Sequence, residues 1–242
     1  MVDLSSLEAG LSDLGDLRST GDNTAELLQR AVAATRQMPT VSGAGLMLVD
    51  AEQALRYVAA SDEPGRTLEA AQEEAGEGPC IEAFVRNEAI ATDDVRTDGR
   101  WPRLASLVQQ SPVRAVLGVP THVGGGAVGT LNVYVDSPHD WTDSEVAALG
   151  AFASVVDTLL ASSVAQQRSD RLAQQLQYAL DYRVIIERAV GYLMRRDGVD
   201  SVTAFSRLRS AARNSRRKAV DLARDLLDGQ PLPNDTSPGK RR

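Results

Sequence analysis

YALDYRVIIERAVGYLMRRDGVDSVTAFSRLRSAARNSRRKAVDLARDLL, residues 178–227, reads as three helices separated by two breaks. Leu172, Leu176, Ala179, Arg183, Ile186, Val190 and Leu193 step by 4, 3, 4, 3, 4, 3, the period of one helical face. Asp197-Gly198 ends that helix, and Asp200 or Ser201 can cap a second with Val202, Phe205, Leu208 and Ala212 on its buried side. Asn214-Ser215 breaks again. A third helix follows from about residue 216 to 228, burying Val220, Ala223 and Leu227. The stretch holds ten basic residues between Arg183 and Lys218 against three acidic ones, Glu187, Asp197 and Asp200.

The surrounding chain is acidic. Residues 1–167 carry 10 Arg and 24 Asp/Glu, whereas residues 168–242 carry 16 Lys/Arg and 9 Asp/Glu. A basic island in a chain of net charge −7 attracts a polyanion while the remaining surface repels it. Asymmetry of this kind predicts two modules with different partners. Of the 26 basic residues 24 are Arg, a bias that by itself indicates no function. The single cysteine, Cys80, excludes an internal disulfide and a cysteine-rich zinc site. The N-terminus MVDLSSLEAG has no basic-then-apolar signal, and no run of eighteen apolar residues occurs, so the expected compartment is the cytoplasm, away from membranes.

N-terminal to the basic stretch, Thr142 and Glu145 form a capping box opening a long helix. Leu149, Phe152, Val156, Leu159 and Ser163 step by 3, 4, 3, 4, and no Gly or Pro stands between Gly150 and Gly191. One nearly continuous helix is therefore expected from about 142 to 196, with an apolar seam suited to a homodimeric coiled coil. Earlier still the period changes. AGLMLVD (44–50) and ALRYVAA (54–60) read as paired strands, and the apolar runs 113–120 and 127–135 around Gly124-Gly125-Gly126 read as a hairpin. GEGPC leads into a short helix from Pro79, and residues 24–38 form a helix stopped by Pro39. The fold class is α+β: an antiparallel sheet with helices on one face, then a long helix and an all-α unit. The domains expected are an amphipathic helix at 1–21, a sensor domain at 22–163, a helical linker at 164–179, a basic helical domain at 180–229 and a disordered tail at 230–242.

Arginine suits a polyanion because its planar fork grips a phosphate or a guanine edge at two points. On a helical wheel Arg188 and Arg195 project to solvent on one face, Arg207 points away from the second helix's core, and Arg209 and Arg213 flank that core. Arg216, Arg217 and Lys218 cluster at the turn into the third helix. These residue types do not separate RNA from DNA, since residues 201–228 can imitate a helix-turn-helix. Cys80 opens a helix, where a thiol pKa falls and redox sensing becomes possible, or it is a small buried residue without reactivity. The glycines at 124–126 lack the lysine of a phosphate loop and lead into a strand. The acidic sets Glu73/Glu74/Glu77 and Asp93/Asp94/Asp98 have no ligand spacing, and His122 and His139 belong to no triad, so no metal site, cofactor or catalytic centre is expected.

These residues resemble two families. RVIIERAVGYLM followed by TAFSRLRSAARNSRRKAVDLARDLL is similar to the ANTAR domain of transcription antiterminators, with Ile186, Ala189, Gly191, Leu193 and Met194 on the family's motif and Val190 where a lysine is usual. Residues 22–163 resemble a GAF sensor domain in the strand pairs, GEGPC, DDVRTDGRWP and LGVP…GGGAVGTLNVYV. The combination resembles an actinobacterial GAF–ANTAR antitermination regulator. It implies an RNA partner, tandem hairpin loops in leader transcripts, held by Arg183, Arg188, Tyr192, Arg195, Arg196, Arg207, Arg209, Arg213, Arg216, Arg217 and Lys218. Tyr192 would stack on an unpaired base. The resemblance further implies a signal read by the GAF domain from a small molecule, if it binds one, and a protein that is not an enzyme. Ile81 stands where bilin-binding GAF domains usually place a histidine, and the residue set of cyclic-nucleotide GAF domains is absent. Free methionine sulfoxide reductases built on GAF use several cysteines. The alternative reading is a DNA-binding regulator with a ligand- or redox-sensing GAF domain.

Overall fold

Every residue of the strand Gly43–Val49 (β1) is buried, on both faces of the sheet it belongs to. That continuous apolar run sits second from one edge of a five-stranded antiparallel sheet of order β2-β1-β5-β4-β3. The other strands are Leu55–Ala60 (β2), Ile90–Thr92 (β3), Ala115–Val123 (β4) and Gly126–Val135 (β5). The computed structural model describes residues 24–50, 53–165 and 171–233. The helix expected over residues 1–21 lies outside the described residues, as does residue 234 onward of the expected tail.

The expected pairs form. Gly45 faces Ala60 across β1 and β2, and Val123 faces Gly126 across the β4–β5 turn, where Gly124 and Gly125 take φ of 58° and 78° that side chains disfavour. Helix Thr24–Thr35 (α1) buries Leu27, Leu28, Ala31 and Val32. Thr142 Oγ1 accepts from the Glu145 N–H at 3.3 Å, and Glu145 Oε2 accepts from the Thr142 N–H at 2.8 Å, closing the capping box that precedes helix Asp143–Ala165 (α5). Among the described residues α5 alone is long and apolar enough to cross a membrane, but its Leu149, Phe152, Val156 and Leu160 pack with α1 on the sheet.

Helices cover both faces of the sheet, not one. Opposite α1 and α5 lie Glu63–Ala75 (α2), Pro79–Arg86 (α3) and Pro102–Leu107 (α4), whose Leu68, Ala71, Ala83 and Leu104 form a second core with Val116 and Tyr134. Strands buried on both sides require this second layer. Asp62 starts α2 by accepting from the Gly65 N–H at 2.9 Å.

The basic segment forms helices Arg171–Asp197 (α6), Ser201–Ser215 (α7) and Ala219–Leu227 (α8) around Ile186, Leu193, Phe205, Leu208, Val220 and Leu226. Asp200 caps α7 through the Thr203 N–H at 2.8 Å. The single helix expected over 142–196 is replaced by two. Asp157 of α5 accepts from the His122 N–H at 2.6 Å, and Arg183 of α6 lies against Gly126, so both helices reach the same hairpin end. One straight helix would separate those residues by about 39 Å. Instead α6 packs beside α5 and the helical unit docks on the sheet domain.

Candidate functional site

The helical unit presents its cations in three different environments. Along the outer side of α6, Arg188 and Arg195 are exposed with Tyr192, itself 43 % exposed. Neither arginine forms an ion pair among the described residues. Arg196 lies 6.0 Å from the Tyr192 ring centroid and bonds Asp197 at 2.5 Å. Asp197 also accepts from Arg207 at 2.7 Å, and the Arg196 hydrogen bond holds its carboxyl below the usual carboxylate range. The Asp197–Arg207 pair thus clamps the end of α6 to α7, with Arg196 holding the same carboxylate from within α6.

The second environment is the α7–α8 corner. Arg216 sits at φ 53°, in left-handed backbone, and its N–H closes α7 onto the Ala212 and Arg213 carbonyls. Arg213, Arg216, Arg217 and Lys218 are all exposed there. Arg217 bonds Asp225 at 2.7 Å, while the Lys218 ammonium lies 5.1 Å over the Tyr178 ring. Arg213 and Arg216 have no carboxylate partner among the described residues.

The third is the junction with the sheet domain. Arg183 bonds Glu187 at 2.6 Å and lies so close to Gly126 that a Cβ there would overlap its guanidinium. Arg209, which flanks the helical core as expected, faces the sheet domain, its guanidinium 5.8 Å from the Phe205 ring. Burial draws its pKa down from the ordinary arginine value. Phe205 meets Phe84 of α3 edge to face at 5.9 Å, and beside them a cavity of about 190 Å³ is lined by Val49, Phe84, Ile186, Val190 and Met194. The site residues named from sequence therefore divide between an outer face, a corner and an interdomain junction.

Within the sheet domain a buried polar chain joins α2, α3 and β5, one that periodicity does not reveal. Glu69 accepts from Asn132 Nδ2 at 2.6 Å, and burial raises its pKa to about 8. Gln72 donates to Cys80 Sγ at 2.7 Å and accepts from the Cys80 N–H at 2.9 Å. Burial, with the neighbouring Glu69 carboxylate, pushes the Cys80 thiol well above its usual value. The helix start does not produce the lowered thiol pKa considered from sequence. The acidic sets serve the fold: Glu73 pairs with Arg56, Asp94 with Arg114, Asp98 with Arg100 at 2.6 Å, and Glu77 caps α4 through the Arg103 N–H at 2.6 Å.

Each of the two units, taken by itself, matches a known family. Residues 22–161 match the GAF domain family and residues 174–227 match the ANTAR domain family. The chain is a GAF–ANTAR protein. Its GAF part alone spans more than half of the sequence. No curated protein matches it. Among solved structures, the chain is similar to the GAF domain from an Acinetobacter phosphoenolpyruvate-protein phosphotransferase, at 18 % identity, covering 69 % of this chain and 97 % of that one with a TM-score of 0.54. The GAF domain of the Coxiella burnetii phosphoenolpyruvate-protein phosphotransferase gives 18 %, 68 %, 95 % and 0.54 in the same order. A free methionine-R-sulfoxide reductase from Neisseria meningitidis gives 16 %, 63 %, 87 % and 0.50. At these identities the likeness concerns fold alone. ANTAR domains are RNA-binding antiterminator output domains and GAF domains are sensors, so the architecture of this GAF–ANTAR protein is regulatory.

Proposed function

We propose that this GAF–ANTAR protein is a signal-responsive antiterminator acting in the cytoplasm. Its ANTAR unit holds tandem hairpins of a nascent transcript, disfavours the competing terminator stem and lets polymerase continue. The observation that carries this reading is the set of exposed ANTAR cations without carboxylate partners among the described residues, Arg188, Arg195, Arg213 and Arg216, in a chain whose net charge is −7. Surface charges left unpaired in an acidic protein stay available to phosphate. Tyr192 beside Arg188 and Arg195 offers a stacking plane for an unpaired base.

Two copies would present two such faces to two hairpins. Val184, 60 % exposed on α6, gives that helix an apolar outward point against which a second copy can pack. The GAF domain is the input. A small molecule or partner bound by it would shift the balance between docked and separated ANTAR units, and so the availability of Arg183 and Arg209. The protein regulates and does not catalyse.

The test is a gel shift with a tandem-hairpin RNA across a salt series. Neutralising Arg213, Arg216 and Lys218 together should weaken binding and flatten the salt dependence by roughly 0.7 to 0.9 log units for each phosphate no longer engaged. An unchanged slope removes them as phosphate ligands. Competition by duplex DNA that displaces RNA at equal concentration favours a DNA-binding regulator instead.

A further inference from the structure

A cleft lined by charged side chains lies between the two domains. Its volume is about 400 Å³, and it is walled on the GAF side by Arg56, Glu73 and Arg103 and on the ANTAR side by Arg209, Arg213 and Arg216, with Lys218 at its rim. Glu73 is its one carboxylate, and it is bound to Arg56, which also bonds Asp50 at 2.6 Å. Arg103, Arg209, Arg213, Arg216 and Lys218 have no carboxylate partner among the described residues. The remaining polar side chains of the wall are Arg217, bound to Asp225 at 2.7 Å, and Ser206 and Ser210, which can donate through their hydroxyls.

Five uncompensated cations around one concavity repel one another, and solvent screens them less as burial increases. Arg209 feels this directly: burial disfavours its charged form most, and the Arg56 and Arg213 charges add to that, opposed by Asp50 and Glu73. An anion in the cleft adds an attraction to each of these cations and so offsets their mutual repulsion. One phosphate carries about two charges at most near neutral pH, so the cation count fits linked phosphates better. The volume falls within the range of small-molecule sites, about 300 to 1,000 Å³.

We propose that the interdomain cleft is a binding site for a small oligophosphate, held by Arg103 from the GAF domain and by Arg209, Arg213 and Arg216 from the ANTAR domain. The bound anion ties the two domains together. It also occupies arginines that RNA would otherwise reach, so binding favours the docked, RNA-poor state. Only this regulatory half rests on the RNA-binding reading; the site itself does not.

The experiment titrates inorganic tripolyphosphate into the full chain by calorimetry at constant ionic strength, with orthophosphate as the comparison. The expected result is saturable one-to-one binding of tripolyphosphate, about tenfold or more tighter than orthophosphate, and weakened about tenfold or more by Arg103→Gln. Arg103 is exposed and lies outside the ANTAR unit, so the variant folds and keeps its RNA face. Ser206→Asp, which places a carboxylate in the cleft, should weaken tripolyphosphate comparably. In a parallel gel shift, tripolyphosphate should weaken RNA binding by wild type and much less by Arg103→Gln. Absence of saturable binding overturns the proposal, as does equal binding or equal RNA competition in the two proteins. Should wild type bind tripolyphosphate in an Arg103-dependent way but no RNA, the cleft site stands and the antiterminator reading falls.

Discussion

Phe84 of the GAF helix α3 meets Phe205 of the ANTAR helix α7 edge to face, their centroids 5.9 Å apart and their planes at 62°. The pair joins the core of the helical unit to the edge of the sheet domain, because Phe84 also packs against the GAF core. It is the aromatic contact that crosses the junction among the described residues.

Phe84→Ala should therefore loosen docking, and it should also cost the GAF domain some stability through the core contacts of the same ring. An edge-to-face pair contributes about 0.5 to 1.5 kcal/mol beyond the area it buries. Together with the apolar area lost, removing it shifts the docked population by roughly tenfold or more, and RNA affinity should rise in the same direction if the docked state withholds arginines. Small-angle scattering should show a larger radius of gyration. An unchanged radius with unchanged RNA affinity means that other contacts dominate the junction.

Gly126 and Arg183 provide an independent probe. Gly126 has no positive φ, so Ala is tolerated by the backbone, and the three atoms nearest to an added Cβ all belong to the Arg183 side chain. Gly126→Ala should displace Arg183 and lower the hydrogen-exchange protection of α6 near residue 183, leaving the melting of the GAF core almost unchanged. Arg183→Ala in the same background should add little, since the two substitutions disrupt the same interaction. Additive effects would show that Arg183 contributes elsewhere.

Much of this arrangement is legible in the sequence, and the departures have physical causes. The capping box at Thr142 and Glu145, the glycine hairpin and the three basic helices follow from local rules, which chain neighbours enforce. Helix α2 does not show in the periodicity because Glu69 and Gln72 are buried beside Leu68 and Ala71, so its inward face does not read as apolar. Strand β3 spans three residues, too few to show a period. The two-sided burial of β1 is visible as an unbroken apolar run, yet the order of helices and strands alone suggests a sheet covered on one face. The helical wheel places Arg188 and Arg195 outward and Arg209 beside the core, as the structure does, but it does not show that a second domain stands beside Arg209. Arg103 has no motif to mark it. Only tertiary docking brings it to α7.

The Glu69 carboxyl gives a pH prediction. Its folded pKa of about 8 lies above the unfolded value near 4.5, so between those limits the folded state holds a proton that the unfolded state has lost. Stability from this group is present below about pH 4.5 and is lost as pH rises toward 8, with a slope of up to about 1.4 kcal/mol per pH unit. Glu69→Gln removes the titrating proton and keeps a side chain able to accept from Asn132. Chemical denaturation between pH 5 and 8 should show a falling stability for wild type and a flatter profile for the variant. Parallel profiles would mean that Glu69 is ionised in the folded protein at neutral pH.

Cys80 supplies the last prediction, because two barriers to its chemistry can be separated. The thiol is fully buried, and its pKa is raised first by that burial and then by the Glu69 charge. A thiol-specific reagent at pH 8 should therefore label native protein slowly, at the rate of structural opening, and label it quickly in denaturant. Glu69→Gln distinguishes the barriers. If access limits the reaction, the variant labels at the wild-type rate wherever its stability is matched; if thiolate formation limits it, removing the adjacent charge accelerates labelling. The closed packing around Gln72 and Cys80 leads us to expect the first outcome, so oxidant sensing through this thiol would require the α2–α3 layer to open.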